Sequence, residues 1–214
     1  MDKQKLHELR VLAAEIRLET LKVIASRGFG HVGGSMSMAD AMAVLYGEVM
    51  HIDPKNPHWE DRDWFVLSKG HGGPVMYATL GLKGYYPMES AYTLNQPNTN
   101  FPSHTDRSKT IGVDLTTGSL GQGMSEAIGA KFDAFGWNVI DVADGNDVEQ
   151  ILGALEQAKA CKGKPTCLIL NTVKGKGATF AEPSGAHSSQ PTKEQWDEAI
   201  AASEAALAAV KNEK

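Results

Sequence analysis

Thr116-Thr117-Gly118-Ser119-Leu120-Gly121-Gln122-Gly123 places three glycines within six residues, directly ahead of a helix-like run from Met124 to Phe135. A glycine-rich turn lets backbone N–H groups approach a ligand closely, and a helix N-terminus favours an anion. Outward from this loop, three histidines lie upstream in Gly/Ser/Pro-rich surroundings, His31, His71 and His104, and His187 lies downstream. A phosphate-sized cradle with several loop histidines predicts a ligand site with acid/base chemistry, since imidazole donates and accepts protons near neutral pH. The order G-x-x-G-x-G, with no strand-like run before it, does not match a nicotinamide-binding fingerprint.

The 214 residues suffice for one large domain with a real core, and the net charge of −5 gives no basic footprint for nucleic acid. No apolar run has the length of a membrane span, and the charged N-terminus, Met1-Asp2-Lys3-Gln4-Lys5, has no signal-peptide core. Cys161 and Cys167 are the only cysteines. Two cysteines without a ligand-type partner predict a reducing compartment, with the cytoplasm as the default location, and no zinc site.

Apolar spacing predicts a long helix over 3–27, ended by Gly28-Phe29-Gly30, a loop at 31–35, and a second helix from Ser37 or Met38 to about Met50. Trp64 to Ser68 reads as a short buried strand, Pro74 to Leu82 as a helix, and 84–115 as mostly loop. Beyond the glycine loop, one helix runs from about Gln122 to Phe135. Strands follow at 137–142 and 165–171, flanking a helix from Asp147 to Cys161. Residues 174–191 read as loop, and Thr192-Lys193-Glu194-Gln195 as a capping box opening a terminal helix to about 211. Strands alternating with helices predict an α/β fold with a mainly parallel sheet flanked by helices, whose ligands sit beyond the carboxyl ends of the strands.

The ordered motifs carry a resemblance. They begin with Gly30-His31-Val32-Gly33-Gly34-Ser35 and Ala39-Asp40, then Asp61-Arg62-Asp63 before Phe65-Val66-Leu67-Ser68-Lys69-Gly70-His71-Gly72. His104 comes next, followed by Gly112 to Gly123, Ala134-Phe135-Gly136-Trp137, Gly163-Lys164-Pro165-Thr166 and Thr172-Val173-Lys174-Gly175-Lys176-Gly177. As an ordered set they resemble the N-terminal, thiamine diphosphate-binding part of transketolases, in particular the separate N-terminal subunits of the split type. The resemblance covers nearly the whole chain, which reads as a single domain, 1–214. It implies that His31, His71, His104 and His187 surround the cofactor and ketose donor, and that Gly118, Ser119 and Leu120 border the diphosphate and thiazolium. The implied activity is transfer of a two-carbon ketol unit from a ketose to an aldose. The implied cofactor is thiamine diphosphate with Mg²⁺ or Ca²⁺. The implied partners are a C-terminal subunit carrying the pyrimidine-binding domain, sugar phosphates as substrates, and a second copy in a homo-oligomer.

One family element is missing. The metal–diphosphate motif, Gly-Asp-Gly followed later by an asparagine, belongs between the glycine-loop helix and Ala134-Phe135-Gly136-Trp137, and no Gly-Asp-Gly occurs in the chain. Hard oxygen ligands of that kind hold the ion that bridges the two phosphates. Ala130-Lys131 instead leads straight into Phe132-Asp133, a truncation junction near 130–132 across which helical spacing continues. The lost segment includes about two strands by resemblance. Asp144-Gly145-Asn146-Asp147 reads as a turn and helix cap rather than a metal site. The expectation is a domain impaired in cofactor binding and inactive alone. The alternatives are a non-catalytic binding or assembly module on the same fold, or a related thiamine enzyme such as a deoxyxylulose-phosphate synthase or a dehydrogenase component.

Overall fold

The structure, a computed structural model, describes residues 2–117, 132, 136–183 and 187–213. The expected helix from Gln122 to Phe135, the junction near 130–132 and the loop residues Gly118, Ser119 and Leu120 lie outside the described residues.

Helix α1, Lys3–Ala25, starts at Asp2, whose side chain accepts from the Gln4 amide, and buries Leu9, Ala13, Ile16, Val23 and Ile24 at helical spacing. Residues 31–35 depart from the predicted loop: Val32–Met36 form a short helix, α2, in which every residue is buried. Gly33, Gly34 and Ser35 are poor helix formers, and burial of Val32 and Met36 overrides that local preference. Helix α3, Ala39–Val44, continues as a wider π turn over Leu45–Val49. Helix α4, Gly73–Leu82, carries Pro74 in its first turn and buries Gly73 to Leu80 without a break, the pattern of a helix enclosed on all sides. Residues 84–115 are loop apart from a 3₁₀ segment, Met88–Thr93.

Strand β1, Asn138–Val142, pairs in parallel with β2, Thr166–Leu170, with Asn138 opposite Thr166 and Val142 opposite Leu170. Helix α5, Val148–Ala160, connects them and packs on both, its N-terminus capped by Asp147, as the turn-and-cap reading of 144–147 expects. Helix α6, Lys193–Asn212, opens with the predicted capping box at Thr192 and lies along α1, burying Trp196, Ala199 and Ser203. No helix among the described residues is long and apolar enough to cross a membrane.

The expected strand at 64–68 does not form. Trp64 and Val66 are exposed, Leu67 is buried, and none of these residues joins the β1–β2 sheet. A strand exists only by pairing. Here the backbone groups are met by side chains instead: the Phe65 amide donates to Asp114 and the Leu67 carbonyl accepts from the Thr117 hydroxyl. Asp114 also holds Arg62 at 2.5 Å in a largely buried ion pair.

Candidate functional site

Four loops from distant parts of the chain bring their histidines together. His31 occupies the N-cap position of α2. Gly30, just before it, exchanges two backbone hydrogen bonds with Ser189, and this bridge carries His187 to within 5.2 Å of His31 between ring centroids. His71 sits in the 3₁₀ turn Gly70–Gly72 that leads into α4. Its ring lies 5.4 Å from His31 and 4.7 Å from His187. His104 arrives 5.6 Å from His31 because the Thr105 amide donates to the Gly70 carbonyl and the Tyr77 hydroxyl donates to the carbonyls of Pro102 and His104. The structure therefore brings all four expected histidines into one cluster.

The cluster has a floor and a rim. His71 is buried, His31 half-buried, and His104 and His187 exposed. Gly34 makes the floor possible, since a Cβ there would stand 2.6 Å from His71 Nε2. Burial first, then the neighbouring imidazoles and Lys69, push the His71 pKa down to about 4. Burial, then His187 and His104, lower His31 in the same direction. His71 is thus neutral at pH 7, able to accept at one nitrogen and donate from the other. Its buried Nδ1 and the buried Ser35 hydroxyl have no hydrogen-bond partner among the described residues. Unsatisfied buried polar atoms are uncommon in folded proteins and mark a place where a polar ligand would be stabilised.

The start of the glycine loop borders this cluster. Thr117 donates its amide to the Thr105 carbonyl, and its hydroxyl lies 2.8 Å from that of Thr105. Gly118, Ser119 and Leu120 themselves fall outside the described residues.

Three residues not singled out as site residues shape the cleft. Asp40, buried, pairs with Arg17 at 2.7 Å and accepts from Asn146 Nδ2 at 3.0 Å. Asn146 in turn accepts from the Val173 amide at 2.7 Å, which clamps the loop after β2 against the start of α3. Lys69 donates to the Ser37 hydroxyl at 3.2 Å, and burial with Lys174 nearby lowers its pKa to about 8. The sequence signals were the Ala39-Asp40 motif, the Asp144–Asp147 turn and the Ser68-Lys69-Gly70-His71 run, but none of them reveals a pairing between residues so far apart.

A half-buried imidazole cluster with a half-buried lysine suits polar, hydroxylated or anionic ligands, and its acid/base chemistry is proton transfer at hydroxyl oxygens. The described residues alone offer no donor set for the metal-bridged diphosphate of the resemblance. Among the described residues no group of three or more His, Cys, Asp or Glu side chains is placed to hold a metal ion, and Asp40, the buried carboxylate nearest this cleft in the contacts above, is already engaged by Arg17 and Asn146.

An α/β domain with a histidine-lined cleft among its Gly-rich loops is the class that fold and site define. The sequence profile of the transketolase thiamine diphosphate binding domain matches in two blocks, residues 8–131 and 125–199, and the chain belongs to this transketolase N-terminal family. It is 38% identical to the 6-deoxy-6-sulfo-D-fructose transketolase subunit SqwG of Clostridium sp. (strain MSTE9), covering 91% of this chain and 95% of that subunit. That alignment extends over 263 residues, more than the 214 the chain possesses. Transketolase 1 of Pasteurella multocida is 29% identical over 79% of this chain but only 37% of its own length, so the chain spans little more than a third of such relatives. The fold matches transketolase from Leishmania mexicana, with a TM-score of 0.78, 24% identity, and coverage of 95% of this chain and 45% of that one. Transketolase from Campylobacter jejuni matches with a TM-score of 0.76 at 23% identity over 99% of this chain and 48% of its own.

Proposed function

We propose that this chain is a transketolase-type N-terminal subunit that keeps the histidine side of a ketol-transfer site and lacks the part that anchors a metal-bridged diphosphate. The observation that carries the reading is the convergence of His31, His71, His104 and His187 in a chain without Gly-Asp-Gly. Two further facts support an internal deletion near 130–132. The family profile matches in two blocks that meet there, and the alignment to the Clostridium subunit is longer than the chain.

In this reading the four histidines, with Gly118, Ser119 and Leu120, face thiamine diphosphate and a ketose. Their task is to orient hydroxyl groups and move protons at them, with neutral His71 as the buried acceptor. Cofactor binding is impaired and the chain is inactive alone. Turnover requires a partner subunit with the pyrimidine-binding domain, and the assembly is a homo-oligomer of such pairs in the cytoplasm. The substrate class is ketoses and aldoses ending in an anionic group. Sugar phosphates fit this description, and the Clostridium relative is named for a ketose with a sulfonate at that end.

Calorimetry with thiamine diphosphate and Mg²⁺, and ketol-transfer assays with and without the pyrimidine-binding partner, test this. No metal-dependent binding and no turnover by the isolated chain are expected. Micromolar, Mg²⁺-dependent binding, or turnover without the partner, would sink the proposal. A non-catalytic assembly module is the competing reading; a stable homodimer indifferent to cofactor and partner would favour it.

A further inference from the structure

Most of the large apolar side chains left exposed among the described residues gather around one short segment. Trp64 and Val66 are 57% and 48% exposed, while Phe65 between them is half-buried and Leu67 is buried. That alternation is the mark of an extended chain with one face on the core. Leu115, also exposed, follows Asp114, which holds both Arg62 and the Phe65 amide. The exposed Trp59 is tied to the same place through its carbonyl, which accepts from Arg62. The Arg62 guanidinium lies over the Trp64 ring, 4.9 Å from its centroid, and supports the indole at the surface.

The backbone of this segment is only half satisfied. Phe65 and Leu67 use the edge that faces 114–117: the Phe65 amide donates to Asp114, and the Leu67 carbonyl accepts from the Thr117 hydroxyl. Neighbouring residues of an extended chain send their N–H and C=O groups to opposite edges, so Trp64 and Val66 face away from 114–117. Neither residue's N–H or C=O meets a hydrogen-bond partner among the described residues. An apolar stretch with a row of open backbone groups is a template for pairing with another strand.

The two ends of this edge carry opposite charge. Glu60, Asp61 and Asp63, all exposed, precede Trp64. The exposed Arg107 and Lys109 stand at the Leu67 end, where the Arg107 amide donates to Thr116, the neighbour of the Thr117 that bonds Leu67. Neither cation has a carboxylate within 4.0 Å of its charged group among the described residues. Antiparallel pairing about a two-fold axis sets the acidic end of each copy against the basic end of the other. Parallel pairing sets like against like, and a strand of unrelated sequence gains neither match.

We propose that the 64–67 edge is an interface between two copies of this chain, paired antiparallel about a two-fold axis. Trp64 lies opposite Val66 of the other copy. Each such pair exchanges both backbone bonds, and the indole packs beside the branched side chain on their shared face. The interface uses the same patch on both copies, so it closes at the dimer and covers the edge in each. It does not draw on the proposed cofactor or partner subunit.

The test is sedimentation velocity of the full chain across the micromolar range, with amide hydrogen exchange at low and high concentration. A monomer–dimer equilibrium is expected. Val66→Lys and Trp64→Lys, both at exposed positions, should each weaken it about tenfold or more, because an edge lysine opposes strand pairing. Arg107→Glu should weaken it as well, and adding Asp61→Lys should restore it by reversing both ends. Exchange at the Trp64 and Val66 amides should slow as concentration rises, while Phe65, already bonded to Asp114, changes little. Should a lysine variant fail to fold, the charge-reversal pair and the exchange of the native chain still decide. A monomer throughout the range overturns the proposal, whether residues 118–131, a protein of another kind or water covers the edge. A dimer unchanged by Val66→Lys and Trp64→Lys overturns it too, and assigns the homo-oligomer of the proposed function to another surface.

Discussion

The helical side of the domain and its sheet side are finished to different degrees. Ile16, Val23, Met42, Val75 and Leu80 of α1, α3 and α4 are fully excluded from solvent, and the histidine cluster grows from the loops that join these helices. In the sheet, by contrast, Val142 alone among the ten residues of β1 and β2 is buried by the described residues, and 64–67 pairs with no strand among them. Parallel sheets are ordinarily covered on both faces. The contrast teaches that the histidine site depends on helix and loop packing, which this chain retains. In the proposed reading, the sheet depends on neighbours supplied by the segment missing near 130–132. On that reading the domain preserves the histidine half of a site and lacks the ligands of the other half.

The contrast is broken most severely at Asp114. If 63–67 is held chiefly by one carboxylate in place of sheet partners, Asp114→Ala frees both the Phe65 amide and a largely buried Arg62. Removing one member of a buried ion pair costs about 3–5 kcal/mol, and urea unfolding should show a loss on that scale. A loss under about 1 kcal/mol, the worth of an exposed pair, would mean that other contacts hold the segment and that the sheet side is less dependent on this one carboxylate.

The next effect is titration of the cluster floor. The folded protein lowers the His71 pKa from 6.5 to about 4, so the unfolded chain binds the proton more readily between those values. Its contribution to stability is therefore complete above pH 6.5 and is lost as pH falls towards 4, by up to about 3 kcal/mol. Unfolding measured across this window for the native chain and His71→Asn should diverge, with the variant losing less stability on acidification. Parallel curves would show that the floor is wetter than its packing indicates.

Legibility in the sequence follows the same division. α1, α4, α5 and α6 were readable to within a few residues, because their apolar spacing, Pro74 and the caps at Asp147 and Thr192 are local signals. α2 was not, because Gly33-Gly34-Ser35 has the composition of a loop and turns helical only through burial. The strand expected at 64–68 failed for the opposite reason: its short apolar run suits a buried strand, but a strand also needs a neighbour. The four histidines were legible as members of an ordered motif set, although nothing in their spacing states that they meet. Asp40, Lys69 and Asn146 owe their roles to partners from distant segments, which no local pattern encodes.

The smallest effect lies where the two sides of the site are tied together. Thr192 accepts from the Gln195 amide and Gln195 accepts from the Thr192 amide, so Thr192→Ala removes one bond of the capping box and should cost about 1 kcal/mol. That cap begins α6 three residues after Ser189, whose bridge to Gly30 carries His187 to the cluster. Trp196, one turn into the helix, independently anchors α6 through its indole N–H to the Gly28 carbonyl. The helix should therefore stay docked while the strap before it loosens. NMR of the imidazole protons should show His187 broadened or shifted and His71 unchanged. Equal perturbation of both would mean that the cluster responds as one packed unit. The exposed rim would then not be separately adjustable from the buried floor.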